Sequence, residues 1–131
     1  MIFFARYEAS QFGSDMIETQ HLLLGLMRED PYIINRFSFS HRLSESIRNE
    51  IERRIVVDKK SSVSVDLPLS DECKRILEYS TEEAEAVTHR DIGTEHLLLG
   101  IMREETGIAA QILAELGLKT DVVRQYLTVQ R

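Results

Sequence analysis

Three short runs concentrate the residues that could do chemistry. Thr94-Glu95-His96 and Thr19-Gln20-His21 each hold a hydroxyl, an acid or amide, and an imidazole, and Ser70-Asp71-Glu72-Cys73 adds a hydroxyl, two carboxylates and the single thiol. A histidine that recurs raises the question of a metal. Zinc wants three or four ligands, and one cysteine with no second ligand at a recognisable spacing does not supply them, so His21 and His96 read as hydrogen-bonded structural histidines near helix starts. His41 and His89 fall in expected turns and carry no assigned role. Cys73 stands at helical spacing with Ile76, Leu77 and Ser80, the place of a small buried hydrophobe. No Ser/His/Asp or Cys/His set with an orienting group stands out, so no catalytic residue, cofactor or enzymatic activity is expected. Ser70 and Glu95 have a plain helical explanation: a hydroxyl that caps a helix, and an acid that favours the positive end of its dipole.

The elements that must position these residues come in two copies. Ile17 to Asp30 returns as Ile92 to Glu105 at an offset of 75, with ten of fourteen positions identical and Gln20/Glu95, Leu26/Ile101 and Asp30/Glu105 conservatively replaced. This is an internal duplication. In each copy Thr19 or Thr94 should open a helix, its hydroxyl satisfying a free N–H of the first turn. The helix that follows carries leucine on nearly every side, which marks it as central and buried. Gly25 and Gly100 interrupt it at the same place; a mid-helix glycine costs about 1 kcal/mol against alanine, so both predict close backbone packing.

The remaining elements follow from the same alignment. Residues 2 to 13 form a first helix whose Ile2, Ala5, Ala9 and Phe12 match Leu77, Ser80, Ala84 and Val87. The second copy's first helix opens at Ser70, whose counterpart falls before Met1, so the first helix of copy one is expected to be short by about six residues, over one and a half turns. Phe3 and Phe4 are then extra apolar surface. A third helix is expected from Pro31 in one copy, with Ile33, Ile34 and Phe37 inward, and from near Gly107 in the other, with Ile108, Ile112, Leu113 and Leu116 inward and Gly117 as its left-handed stop. Residues 38 to 42 have no such glycine. Beyond them Ser44, Ile47, Arg48 and Ile51 align with Thr120, Val123, Arg124 and Leu127 at an offset of 76, a short amphipathic fourth helix. Glu82-Glu83-Ala84-Glu85 reads as a solvated face.

The architecture expected is all-α: two four-helix repeats related by an approximate two-fold, repeat one at 1–55, an extended linker at 56–69 with Pro68, and repeat two at 70–131. Units of about 65 residues are marginal alone, so the two should share one core. A net charge of −6 argues against a nucleic-acid partner, and Arg53-Arg54 and Lys59-Lys60 are only a local basic patch. No apolar run is long enough for a membrane, no export leader is evident, and one cysteine suits a reducing compartment, so a cytoplasmic location is expected.

At the two Thr-(Gln/Glu)-His-Leu-Leu-Leu-Gly motifs and at Gly107-Ile108-Ala109-Ala110 the chain resembles the Clp N-terminal domain, the double repeat that precedes the ATPase modules of ClpA- and ClpC-type unfoldases. The resemblance covers essentially the whole chain. It implies a protein-interaction module that docks adaptors or substrates onto a Clp ATPase or protease; small free-standing double-repeat relatives that associate with Clp complexes imply an accessory role as the alternative. No Gly-x-x-x-x-Gly-Lys-(Ser/Thr) is present, so the ATPase part is absent. In ClpC-like members each repeat carries a phosphoarginine pocket made from a helix-start hydroxyl and the acid of the Gly-Thr-Glu-His motif, where N–H groups meet phosphate and a carboxylate meets the guanidinium. The resemblance carries this onto Ser70 and Glu95 in repeat two. In repeat one Gln20 replaces the acid and the hydroxyl-bearing start is missing, with Glu18 a badly placed substitute, so one pocket at most is implied.

Overall fold

A computed structural model describes residues 1–37, 43–55 and 67–129 of the chain. Among them lie α1 (Ile2–Gln11), α2 (Thr19–Glu29), α3 (Leu43–Arg54), α4 (Asp71–Ala86), α5 (Thr94–Arg103), α6 (Ile108–Glu115) and α7 (Thr120–Val129), with a 3-10 turn at Asn35–Phe37. The expected all-α class holds. The first helix of repeat one has 10 residues against 16 in its counterpart. Extended pairing among the described residues is a single parallel bridge between Ile17 and Leu69. There the Ile17 N–H donates to Pro68 O at 2.8 Å and the Ser70 N–H to Ile17 O at 2.9 Å, stitching the end of the linker to repeat one. The rest of that linker, 56–66, and residues 38–42 lie outside the described residues.

Each repeat is built on an antiparallel helix pair, α1 with α2 and α4 with α5. Both glycines sit at the crossings the sequence predicts. A Cβ on Gly25 would lie 2.6 Å from the Ala5 nitrogen, and one on Gly100 would lie 2.6 Å from the Ile76 carbonyl oxygen and against the Ser80 hydroxyl. The helices approach this closely because no side chain stands between them. From Thr19 to Leu26 every residue of α2 is buried, and α2 packs on α5 and α6 while α3 packs on α6. Leu22, Leu23, Ile33 and Ile47 therefore join Leu98, Leu99, Ile112 and Val123 in one hydrophobic cluster. Burial of these side chains, about 1.5–3 kcal/mol each, is what holds the copies together.

Two expectations need correction. The third helix of repeat one does not form as an α-helix: residues 31–34 make turns and only Asn35–Phe37 is helical, in the tighter 3-10 form. Ile33 and Ile34 are nonetheless fully buried, as their spacing implied. Ile34-Asn35 are poorer helix formers than the Ala109-Ala110 that stand at the same place in the second copy, and the Asp30 carboxylate takes the Tyr32 N–H at 3.3 Å, a local turn that competes with helix. The second correction concerns Thr19 and Thr94, which are the first helical residues rather than the caps; Glu18 and Gly93 are the N-caps. The backbone N–H of each cap is taken by the histidine three residues on, Glu18 N–H to His21 Nδ1 at 2.9 Å and Gly93 N–H to His96 Nδ1 at 2.7 Å. The structural reading of both histidines is thereby given a specific role.

Candidate functional site

Released from capping, the two threonines point into the opposite repeat. Thr19 Oγ1 accepts the Ala109 N–H at 3.3 Å, and a Cβ on Gly107 would press against the Thr19 side chain at 2.7 Å. Thr94 Oγ1 donates to Asp30 Oδ2 at 2.8 Å. Each copy thus closes its helix start onto the segment following the central helix of the other.

Around Thr94 this contact builds a charged cluster. The Arg36 guanidinium, carried on the 3-10 turn of repeat one, bonds Asp30 through both terminal nitrogens, at 2.5 and 3.1 Å, and reaches Glu95 Oε2 at 2.8 Å. Desolvation works to raise the Asp30 pKa, but the Arg36 and Thr94 hydrogen bonds outweigh it and hold the carboxyl below its ordinary value. The same Asp30 bond raises Arg36, so both groups remain charged. The Asp30 and Glu95 side chains are 14 % and 19 % exposed and Arg36 31 %, so the cluster is open to solvent on one side. Chemically, it is two carboxylates gripping one guanidinium, with a hydroxyl holding the first carboxylate in place.

Ser70 takes different company. It caps α4 as the sequence predicts, its Oγ accepting the Cys73 N–H at 3.2 Å, with Asp71 and Glu72 in the first turn. It is 4 % exposed because the start of α4 lies against Ile17, just before α2. Among the described residues Ser70 and Glu95 share no hydrogen-bond partner: one borders the start of α2, the other the turn after α2. Gln20 is buried, and its amide donates to Glu18 Oε2 at 3.4 Å within its own turn. Cys73 is buried as expected; burial pushes its thiol up to about 11, and Sγ–H donates to Ile17 O at 3.2 Å.

Several charged residues were not assigned their places by the sequence. Glu83, expected on a solvated face, is 9 % exposed and is bonded by Arg124 at 3.0 and 3.2 Å and by Arg103 at 3.2 Å. Glu8 repeats this with Arg28 at 3.3 Å and Arg48 at 3.0 Å. The offsets of 75, 75 and 76 are those of the sequence repeat, which was the available signal. The Arg124 hydrogen bond, against a desolvation penalty, holds the Glu83 carboxyl below its usual range. His89 was also left without a role, yet its Nδ1 lies 2.9 Å from His96 Nε2. Since His96 Nδ1 already accepts from Gly93, its Nε2 must carry the proton shared with His89. Burial first, and then His89, lower the His96 pKa below its ordinary value. Among the described residues no group of three or more His, Cys, Asp or Glu side chains is arranged to hold a metal.

A duplicated helical unit whose two halves interlock through their central helices is the class of module these elements define. The chain belongs to the Clp repeat (R) N-terminal domain family, whose sequence pattern matches residues 1–116 and again 68–130. It is 37 % identical over 130 residues to a chloroplastic ClpA homolog from Brassica napus described as an ATP-dependent Clp protease ATP-binding subunit, a match covering 95 % of this chain and 15 % of that protein. It is likewise 37 % identical over 130 residues to the chloroplastic chaperone protein ClpC of Pisum sativum, covering 95 % and 14 %. The chain thus spans about 15 % of the length of such curated relatives. Among solved structures it is similar to the N-terminal domain of ClpD from Arabidopsis thaliana, with a TM-score of 0.67 and 24 % identity over 98 % of this chain and 88 % of that one. It is also similar to the Hsp104 N-terminal domain from Candida albicans, with a TM-score of 0.65 and 13 % identity over 96 % and 83 %. At these identities the structural likeness is one of fold. No helix among the described residues is long and apolar enough to cross a membrane.

Proposed function

We propose that the chain is a protein-interaction module that recruits substrates or adaptor proteins to a Clp ATPase or protease, and that Glu95 at the start of α5 recognises an arginine-bearing segment of the partner. The observation that carries this reading is that Glu95 already holds a guanidinium, that of Arg36, at 2.8 Å. A phosphoarginine-type ligand would add a need for N–H donors, which the first turn of a helix offers. Ser70, which opens α4, is the hydroxyl proposed for that end of the ligand, and engaging it requires giving up the Cys73 N–H. The test is affinity capture from native cytosol with the wild-type chain and Glu95→Ala in parallel. A set of unrelated proteins captured by the wild type and lost with the variant supports substrate recognition; an unchanged set counts against it.

A second reading, an accessory that binds and regulates the Clp complex itself, draws on α1. Phe3 is 72 % and Tyr7 46 % exposed, where the second copy has Glu78 and Glu82. Capture of Clp subunits that survives Glu95→Ala and is lost in Phe3→Ser would favour it.

A further inference from the structure

The cluster around Arg36 is assembled from both repeats, and among the described residues it occurs once. In the reciprocal position Thr19 bonds the Ala109 backbone instead of a carboxylate, Gln20 stands for Glu95, the counterpart of Asp30 is the exposed Glu105, and the counterpart of Arg36 is Gln111, which donates to Thr106 O. Three substitutions at matching repeat positions, Gln20 for Glu95, Glu105 for Asp30 and Gln111 for Arg36, separate the two sites. Around the start of α5 a bidentate carboxylate, Asp30, and a second carboxylate, Glu95, converge on one planar cation, and the Thr94 hydroxyl fixes Asp30 by donating to it. Asp30 and Glu95 together carry two negative charges against the single charge of Arg36, so the cluster retains attraction for a cation with Arg36 in place. The first turn of α5 adds no positive side chain, as Thr94, Glu95 and His96 occupy it and His96 is neutral.

We infer that Asp30, Thr94 and Glu95 form a guanidinium-binding seat built jointly by the two repeats, that Arg36 is its resident occupant, and that a partner's arginine binds by exchanging with Arg36. This rests on the proposed reading that Glu95 recognises arginine, and it adds Asp30 as a binding residue and Arg36 as an internal competitor. Exchange is sterically simple. Arg36 hangs on a single 3-10 turn, its side chain is 31 % exposed, and one set of χ rotations moves the guanidinium into solvent without disturbing the buried Ile33 and Ile34. Competition of this kind divides the affinity for an outside ligand by the ratio of occupied to vacant seats. A partly exposed ion pair of ordinary strength sets that ratio at about five.

The experiment is an NMR titration of the full chain with a short peptide containing one arginine, and with the same peptide carrying phosphoarginine. Arg36→Gln should bind about fivefold more tightly than the wild type, Asp30→Asn and Glu95→Gln should each bind more weakly, and Arg36→Gln/Asp30→Asn should lose the gain. Arg36→Lys, which keeps the charge but not the two-pronged bond to Asp30, should fall between, and it serves as the readout if Arg36→Gln melts early. Tighter binding of either peptide to Arg36→Gln supports the seat, and the peptide that gains more identifies the ligand's source. Equal binding to wild type and Arg36→Gln, still sensitive to Glu95→Gln, overturns the exchange while leaving arginine recognition standing. Equal binding to wild type and Asp30→Asn overturns the joint seat. Binding that ignores Glu95, or no binding by any variant, removes arginine recognition and the exchange together.

Discussion

Acidification from pH 7 to pH 4 should cost this fold about 3 kcal/mol at one residue, His21. His21 is 1 % exposed, its Nδ1 accepts the Glu18 N–H at 2.9 Å, its ring centre lies 5.7 Å from that of Phe12, and its Nε2 is buried with no hydrogen-bond partner among the described residues. A second proton would have to sit on Nδ1, facing an N–H, at the positive end of α2. Burial accordingly drives the pKa from 6.5 down to about 4. The sign follows: the unfolded chain takes up a proton below about pH 6.5 and the folded chain does not until about pH 4, so the contribution is complete above 6.5 and is lost as the pH falls toward 4. At about 1.36 kcal/mol per pH unit the interval amounts to about 3 kcal/mol, a large share of the 5–15 kcal/mol typical of a domain. Urea unfolding at pH 7, 6, 5 and 4 should be compared between the wild type and His21→Asn, whose amide keeps an acceptor near Nδ1 and does not titrate. Losses from carboxylates such as Glu83, whose stabilisation also disappears as pH falls through its depressed pKa, cancel in the comparison. The stability difference should move by about 3 kcal/mol toward the variant across the range. A difference independent of pH, or a His21 midpoint near 6.5 by NMR, would refute the reasoning.

Other outcomes are equally specific. Gly100→Ala gains about 1 kcal/mol in helix propensity but sets a Cβ 2.6 Å from the Ile76 carbonyl, a backbone atom that cannot yield, so thermal unfolding should show a net loss of about 1–2 kcal/mol. A stabilised variant would contradict that crossing. Gly117→Ala, at φ +89 with nothing within 4 Å, should lose about 1 kcal/mol from backbone strain alone. Cys73, buried and with its thiol pushed up to about 11, should resist a thiol reagent at pH 8 and react only as urea populates open forms; immediate labelling of the folded chain would count against its placement. Glu83→Gln leaves Arg103 and Arg124 without their shared carboxylate and should cost about 2 kcal/mol by denaturant titration. Glu8→Gln should cost a similar amount, and the absence of any effect in both would show that the duplicated clusters contribute nothing.

Much of the fold was legible because local signals agreed. Ser70 with Asp71 and Glu72 marked the start of α4, Gly117 marked the end of α6, and paired glycines marked both helix crossings. The third helix of repeat one was misread because inward apolar spacing at Ile33 and Ile34 does not distinguish a helix from buried turns. The threonine caps were misread because hydroxyl residues at a helix start have two uses. Here His21 and His96 took the capping bonds, leaving Thr19 and Thr94 to bind the opposite copy. For the candidate site, the sequence singled out Glu95 but not Arg36 or Asp30. The Arg36–Glu95 pair is 59 residues apart in sequence, and no local pattern encodes such a distance.

By itself, the sequence determined the duplication, the all-helical class, the buried central helices and the family, because each depends on spacing within a few turns of chain. Tertiary structure alone decided which charges meet. Long polar side chains reach several ångströms in any rotamer, so their partners are set by how the helices pack, within a repeat and between the two. Packing within each repeat buried Glu8 and Glu83 between arginines and paired His89 with His96, while docking of the two repeats turned Ser70 toward the start of α2 and delivered Arg36 to the carboxylate of Glu95.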